Sequence, residues 1–169
     1  RALAENGISI PEMALYESMQ EDEIIERGTG KMRIQPKDMI SGKINNGLKS
    51  LPKEIGNLTN LEQLFIANSE IESLPDELAN LRSCTDVEIY NCPKMKEFPM
   101  ALTRMPNLAL VNLANNRQWS SEEVLKGFKG LATGPSREKL QIIYFNENNL
   151  EVVPKEIKNM KKLGMIDFS

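Results

Sequence analysis

The sequence has no histidine, and only two of its 169 residues are cysteine. Histidine is the side chain that most often acts as a general base near neutral pH, and it is also the commonest metal ligand. The sequence also has no glycine-rich phosphate loop and no nucleophile motif, so nothing in it supports a catalytic site. We therefore expect a protein that is not an enzyme and that uses neither a metal nor another cofactor.

The charge and hydropathy of the chain limit the kinds of partner that it is expected to bind. The chain has 21 Lys and Arg residues against 24 Asp and Glu residues, a net charge of −3, so nucleic acid is not expected as a partner. It contains no apolar run close to the roughly 20 residues of a transmembrane helix. Residue 1 is Arg and no signal peptide follows it, so we expect a piece of a longer protein whose targeting signal lies outside this sequence.

A repeated pattern fills the second two-thirds of the chain. Four segments place an apolar residue before proline and add apolar residues four, seven and ten positions after the start; they begin at Leu51, Leu74, Phe98 and Val153. Short alternating strand patterns start at Leu61, Cys84, Leu108, Leu140 and Leu163, with spacings of 23, 24, 32 and 23 residues. Leucine patterns with a period of about 20 to 29 residues are typical of a leucine-rich repeat solenoid.

The pattern Leu-Pro-x-x-Ile-x-x-Leu-x-x-Leu resembles the 23-residue class of leucine-rich repeat proteins over residues 51–169. The phrases at 115–117, 131–135, 139–144 and 148–150 also resemble the repeat arrays of exported or surface leucine-rich repeat proteins from gut bacteria. The resemblance implies an α/β solenoid, an arc with a concave parallel sheet and short helical or irregular outer segments. It also implies a non-enzymatic, extracellular or cell-surface protein of the bacterial envelope. A cytoplasmic location is the alternative, because similar coils occur in intracellular scaffolds.

We divide the chain into three parts. Residues 1–30 are not repeat-like and predict an N-terminal helical cap, or a linker from an upstream domain. Residues 31–50 predict a degenerate first repeat, and residues 51–169 hold the clear repeats, which stop in the middle of a repeat. Further repeats or a C-terminal cap are therefore expected beyond Ser169.

The first two parts carry weaker signals. The predicted helix starts near Ser9 and Pro11, because a hydroxyl can cap free amides and proline is tolerated in the first turn. Gly28–Gly30 would end this helix, and its apolar face would contain Met13, Tyr16, Met19 and Ile24. In the degenerate repeat, Asn46 and Leu48 fit the turn, but three positions that should be apolar are polar: Asp38, Ser41 and Lys43.

Polar residues mark the turns where the strands of the clear repeats end. Asn116 and Asn148 occupy this position and are predicted to hydrogen-bond buried backbone groups. Cys92 and Ser69 replace asparagine in the two earlier repeats. Cys92 and Cys84 are predicted to be buried free thiols that pack as small hydrophobes.

The 32-residue spacing predicts an insertion over residues 117–139. Ser120 and Glu123 have the spacing of a capping box, and the apolar residues after them fit a helix of about three turns. Trp119 precedes this helix and is the only tryptophan. We expect it to pin the insertion to the solenoid; its alternative role is an exposed anchor for a partner.

Residues that alternate with the core positions of the strands should point to the concave face. Over five predicted strands, these outward positions include five acidic residues and no basic one. Three aromatic residues, Phe65, Tyr90 and Tyr144, share the face. Exposed aromatic residues among carboxylates are typical of a surface that binds a protein with a basic or amphipathic surface. Acidic residues that merely keep the sheet soluble are the alternative.

The sequence thus predicts a protein–protein interaction module that binds through its concave face. The predicted site consists of Glu62, Phe65, Asp86, Glu88, Tyr90, Asn112, Tyr144, Glu147 and Asp167. The alternative is a glycan-binding or adhesin-like bacterial surface protein that uses the same face. In that case Tyr90 and Tyr144 would stack on sugars, and Asn and Asp side chains would bind hydroxyl groups.

Overall fold

The computed structural model describes residues 23–26, 30–36 and 49–169. Its framework is a seven-stranded sheet whose strands follow the order of the chain. The strands are β1 (Glu23–Glu26), β2 (Lys31–Pro36), β3 (Gln63–Ala67), β4 (Asp86–Tyr90), β5 (Leu110–Asn112), β6 (Ile142–Tyr144) and β7 (Met165–Asp167). β1 is antiparallel to β2, and each later pair of neighbours is parallel.

Short helical segments return the chain from one parallel strand to the next, as predicted. Four of them are 3₁₀-helices: Lys53–Asn57, Asp76–Asn80, Met100–Arg104 and Lys155–Asn159. Each follows the proline of the repeat pattern, whose φ lies between −68° and −73°. Proline is suited to this position because its ring fixes φ near the helical value and it has no N–H group to leave unpaired.

The core lies between the sheet and these outer segments. The inward residues of β3 to β6 and of the turns that follow are at most 1% exposed: Leu64, Ile66, Val87, Ile89, Val111, Leu113, Ile143 and Phe145. Apolar residues of the outer segments, including Ile55, Leu78 and Leu102, pack against them and are fully buried. Each repeat thus buries its apolar face against its neighbours, as expected for a solenoid.

The N-terminal part differs from the prediction. Residues 23–26 form a strand, whereas we predicted that Ile24 lies on the apolar face of a helix. β-Branched isoleucines favour a strand where a partner strand is available, and β2 provides one. Residues 1–22 and 27–29, which hold the rest of that predicted helix, lie outside the described residues.

The segment predicted as a degenerate first repeat begins with a strand. This strand occupies Lys31–Pro36, and its Lys31 is in register with Gln63, an offset of 63 − 31 = 32 residues instead of the common 23. The polar positions Asp38, Ser41 and Lys43 and the turn positions Asn46 and Leu48 lie outside the described residues.

The insertion contains one α-helix, α1 (Ser121–Thr133). The Oγ atom of Ser120 accepts a hydrogen bond from the Glu123 amide at 3.2 Å, as the capping pattern predicts. The helix packs closely on the preceding repeat, because a Cβ atom at Gly127 would overlap the ring of Phe98. Its Phe128 stacks on Phe145 with a centroid distance of 5.4 Å.

The turn asparagines hydrogen-bond buried backbone groups, as predicted. Asn116 is fully buried, and its Nδ2 donates to the carbonyl oxygens of Ile89 and Leu113 at 2.8 and 2.9 Å. Its Oδ1 accepts from the Cys92 amide at 3.0 Å, and the Asn116 amide donates to Oδ1 of Asn148 at 2.9 Å. These bonds link three successive repeats at the same turn position.

Candidate partner-binding site on the concave face

The parallel register aligns the outward side chains into rows that cross the strands. The central row contains Phe65, Glu88, Asn112, Tyr144 and Asp167, one from each strand from β3 to β7. All five residues are half-buried and belong to the predicted site. The concave face, defined here as the solvent-facing side of β3 to β7, therefore brings two aromatic and two acidic side chains into one line.

The other predicted site residues surround this central row. Asp86 lies one outward position before Glu88 on β4, and Tyr90 lies one outward position after it, with 38% of its surface exposed. Glu147 follows β6, whereas Glu62 precedes β3. These two carboxylates lie at opposite ends of the strands, so the structure does not bring them together.

A depression of about 260 Å³ lies on this face beside the central row. It is lined by Tyr90, Asn112, Ala114, Asn115, Tyr144, Asn146 and Glu147. Four of these residues belong to the predicted site. Ala114 is the small residue of the group, and its side chain leaves space between Tyr90 on one side and Asn146 on the other.

Hydrogen bonds hold the polar residues of the depression in place. Oδ1 of Asn112 accepts from the Ala114 amide at 3.1 Å, and Nδ2 of Asn146 donates to Oδ2 of Asp167 at 2.8 Å. Hydrogen bonds from the backbone and side chain of Ser169 lower the pKa of Asp167 below its ordinary value, with a further contribution from Asn146. Asp167 is therefore ionised at neutral pH.

One ion pair lies at the rim of the depression. Nη2 of Arg117 lies 3.0 Å from Oε2 of Glu147. The two side chains are 70% and 50% exposed, so solvent screens the pair. The Glu147 carboxylate is thus in a position where a guanidinium group can reach it.

Sequence reasoning missed an apolar row on the same face. Leu110, Ile142 and Met165 are in register on β5, β6 and β7, one outward position before the central row. Leu110 and Ile142 are half-buried, and Met165 is 50% exposed. All three alternate with core residues in the sequence, which indicates outward positions, but their alignment depends on the register between strands.

Basic residues lie on β2, next to the five strands for which the sequence predicted no outward basic residue. Lys31 is exposed and in register with Gln63, and Arg33 is in register with Phe65. Basic charge therefore lies at the β2 side of the sheet, and the predicted acidic residues lie on or next to β3 to β7.

Trp119 does not lie on an accessible surface. It is fully buried, its ring centroid lies 5.3 Å from that of Phe98, and its Nε1 donates to the Met95 carbonyl at 2.8 Å. Of the two roles considered for Trp119, its burial and contacts fit the first, in which it pins the insertion to the solenoid. A direct role as an exposed anchor is excluded by its burial.

The described residues offer few other features that point to a function. Cys84 and Cys92 are free, buried thiols, and burial raises the pKa of each to about 12. In the part of the chain that the structure describes, no three or more His, Cys, Asp or Glu side chains are grouped so that they could hold a metal ion. No helix within these residues has the length and apolar character needed to cross a membrane.

No protein-family model and no curated protein sequence matches the chain. Solved structures do match it. A leucine-rich repeat protein from Bacteroides eggerthii DSM 20697 is 30% identical over 93% of this chain and 30% of its own, with a TM-score of 0.67. A second, from Bacteroides thetaiotaomicron VPI-5482, is 31% identical over 80% of this chain and 19% of its own, with a TM-score of 0.66.

A leucine-rich repeat protein of Leptospira interrogans is 27% identical over 69% of this chain and 27% of its own, with a TM-score of 0.51. The chain thus spans less than a third of the length of each of these three proteins. Their TM-scores, all above 0.5, show that they share its fold. The chain is a leucine-rich repeat protein, similar to leucine-rich repeat proteins of the gut bacteria Bacteroides.

Proposed function

We propose that this chain is a non-enzymatic binding module that holds a basic or amphipathic protein segment on its concave face. Solenoids of this kind commonly use their concave surfaces for binding. The observation that carries the proposal is the central row, in which Phe65 and Tyr144 alternate with Glu88 and Asp167. Aromatic anchors among carboxylates suit a partner that offers both apolar and basic side chains.

The apolar row favours an amphipathic partner over one that is only basic. Leu110, Ile142 and Met165 run parallel to the central row, and two outward positions on a strand lie about 6.6 Å apart. A partner helix lying across the strands rises about 5.4 Å per turn, close to the strand spacing of about 4.8 Å. Such a helix would place one side chain per turn against each strand.

Charge supports the same choice of partner. The predicted site contains five carboxylates, Glu62, Asp86, Glu88, Glu147 and Asp167. Three cations are placed near it in the described residues: Lys31 and Arg33, which are in register with Gln63 and Phe65, and Arg117, which pairs with Glu147. A net negative surface steers basic segments toward it, and salt weakens this attraction. We therefore expect the association rate to fall as the salt concentration rises.

The proposal is tested by selecting peptides from a random 16-residue phage library on the immobilised chain. The selected peptides are then synthesised and their affinities measured by fluorescence anisotropy at low and high salt. We expect sequences enriched in Lys and Arg with helically spaced apolar residues. A variant with Phe65→Arg, Tyr90→Arg and Tyr144→Arg should bind them at least tenfold more weakly.

The matched control places three arginines on exposed, uncharged outer positions, with Asn57→Arg, Asn80→Arg and Thr133→Arg, so that both variants gain three positive charges. Both variants must keep the circular dichroism spectrum and thermal melting point of a folded chain. Selected peptides without excess positive charge, or peptides that both variants bind equally well, would contradict the proposal.

A glycan ligand is the second candidate, and the depression between Tyr90 and Tyr144 favours it. Sugars stack on aromatic rings, and their hydroxyl groups bind amides and carboxylates. This function predicts weak affinity that changes little with salt. A glycan array screened with the parent and the triple-arginine variant distinguishes it from protein binding.

The proposal also places the chain on the cell surface, as its resemblance implies. Labelling of intact source cells with an impermeant biotin reagent tests this location.

A further inference from the structure

We propose that the depression between Tyr90 and Tyr144 receives one cationic side chain, lysine or arginine, from the bound segment. This inference rests on the protein-binding function proposed above and names the subsite that would fix the register of the partner. The volume of about 260 Å³ suits one side chain. Drug-sized ligands occupy larger pockets, of about 300 to 1,000 Å³.

The two tyrosines are spaced for a cation between them. Tyr90 on β4 and Tyr144 on β6 lie two strands and one outward position apart. With strands about 4.8 Å apart and about 3.3 Å per residue, their Cα atoms are separated by about 12 Å. A cation midway would lie about 6 Å from each Cα atom, within reach of both side chains, and aromatic rings attract cations within about 6 Å of the ring centroid.

The depression has this space because the residue between the tyrosines is small. The Ala114 carbonyl accepts from the Asn91 amide, which follows Tyr90, so Ala114, just after β5, lies beside Tyr90. The equivalent outward position in the following repeat is occupied by Asn146. A longer side chain at position 114 would therefore fill the depression without altering any charge.

One carboxylate lines the depression and two more lie next to its lining residues. Glu147 lines the rim, Glu88 is in register with Asn112, and Asp167 is in register with Tyr144. Together with Arg117, which pairs with Glu147, these three carboxylates give a local charge of −3 + 1 = −2. Arg117 already places a guanidinium on Glu147, and an incoming cation would compete with it for this carboxylate.

The amide groups favour a cation over a sugar. Asn112 accepts from the Ala114 amide through Oδ1, and Asn146 donates through Nδ2 to Asp167 and to Oγ of Ser169. Part of the amide capacity that would bind sugar hydroxyls, Oδ1 of Asn112 and Nδ2 of Asn146, is thus used within the protein. The carboxylates at the rim keep lone pairs for a charged donor, and charge-assisted bonds are the stronger kind.

The test uses side-chain signals from a chain labelled with ¹³C-tyrosine. There are three tyrosines, so Tyr16→Phe leaves only the signals of Tyr90 and Tyr144. The probes are N-acetyl-argininamide and N-acetyl-lysinamide, with the uncharged N-acetyl-glutaminamide and methyl α-glucoside as controls. We expect saturable shifts of both tyrosines with the two cationic probes alone.

Substitutions at the rim separate a binding role from a structural one. Glu147→Gln should weaken binding of the cationic probes about three- to tenfold, because it removes the carboxylate. Arg117→Gln should strengthen binding by about two- to fivefold, because it removes the internal competitor. A purely structural role for Arg117 would not produce this gain. Ala114→Leu should abolish binding, whereas the matched Ala79→Leu on an outer segment should not.

Shifts of equal size with the uncharged amide, shifts with the glucoside alone, or no shifts with any probe would overturn the inference. The proposed function is judged separately, from the selected peptides. Peptides that are lost in the triple-arginine variant but bind equally to Glu147→Gln and Arg117→Gln would overturn only the cation subsite. Peptides insensitive to the triple-arginine variant would overturn the proposed function itself.

Discussion

The Glu123 side chain, on α1, accepts a hydrogen bond through Oε2 from the backbone amide of Phe98, at 2.8 Å. Oε1 of the same carboxylate accepts from Nζ of Lys126 at 2.9 Å. Burial by itself would raise the pKa of Glu123, but the hydrogen bonds from Lys126 and Phe98 outweigh it and hold the pKa below its ordinary value of 4.5. This charge-assisted contact fastens the inserted helix to the preceding repeat.

Glu123→Gln keeps the shape of the side chain and removes its charge. We expect the free energy of unfolding to fall by about 1 kcal/mol at pH 7, a value discounted for the partial exposure of the carboxylate. A depressed folded-state pKa gives stability that is complete above the unfolded pKa and is lost as the pH falls through the folded pKa. Urea denaturation of parent and variant between pH 7 and pH 2 should therefore show the difference shrinking below about pH 4. The control is Glu122→Gln, at the exposed neighbouring residue, and a difference that persists at the lowest pH would contradict this account.

Asn116→Asp should destabilise the chain strongly, although it preserves shape. The carboxylate cannot donate to the carbonyl oxygens of Ile89 and Leu113, and the site is fully buried. We expect a loss of about 3 kcal/mol or more in the free energy of unfolding, measured by urea denaturation. Asn116→Cys should cost less, because Cys92 occupies the equivalent position in the preceding repeat. If the two substitutions cost the same, the paired donors of Asn116 are not what stabilises this turn.

The boundaries of the clear repeats could be predicted because the pattern that defines them lies within each repeat. The apolar-proline start and the inward pairs such as Leu64 and Ile66 recur at fixed intervals, and the core confirms them. The position of α1 followed from the local pairing of Ser120 with Glu123, although Glu123 also turned out to bond Phe98 in the preceding repeat. Features that depend on residues close together in the sequence could therefore be predicted.

Features that depend on contacts between residues far apart in the sequence could not be predicted. The segment containing Ile24 fits a helix or a strand by its own pattern, and pairing with β2 decides between them. Lys31 was missed because the first repeat is longer than the common period. The apolar row and the depression depend on register between strands, and a single sequence shows outward positions without showing which of them lie side by side.

Trp119→Phe should lower the free energy of unfolding by about 2 to 3 kcal/mol, because it leaves a gap beside Phe98 and loses the bond from Nε1. The Met95 carbonyl keeps a second donor, Nε2 of Gln118 at 2.9 Å, so the loss is mainly one of packing. The control, Gln118→Ala, removes that other donor and should cost about 1 kcal/mol or less. Equal costs in guanidinium denaturation would show that the hydrogen bonds, and not the indole packing, secure the insertion.

The two cysteines should be unreactive in the folded chain. Burial raises the pKa of Cys84 and of Cys92 to about 12, so the nucleophilic thiolate is scarce at pH 8. Ellman's reagent should label neither thiol until denaturant is added, and it should then label both. A raised folded-state pKa gives stability that is complete below the unfolded pKa of 9.0 and is lost as the pH rises toward 12. The melting temperature should therefore fall above pH 9, and it should fall less steeply in a Cys84→Ala, Cys92→Ala variant.

Glu147 occupies a backbone conformation that suits asparagine better than glutamate. Its φ is +56°, and the equivalent turn positions hold Asn68, Asn91 and Asn115, with φ values of 49°, 51° and 58°. The left-handed region costs about 1 kcal/mol for most residues, and asparagine is among those that tolerate it. Glu147→Asn should therefore raise the free energy of unfolding by about 0.5 to 1 kcal/mol, since the exposed ion pair with Arg117 contributes little. The reciprocal change, Asn115→Glu, should lower it by a similar amount in thermal denaturation. If both substitutions destabilise the chain, the Glu147–Arg117 pair outweighs the backbone strain, and Glu147 is held there by its partner in spite of its conformation.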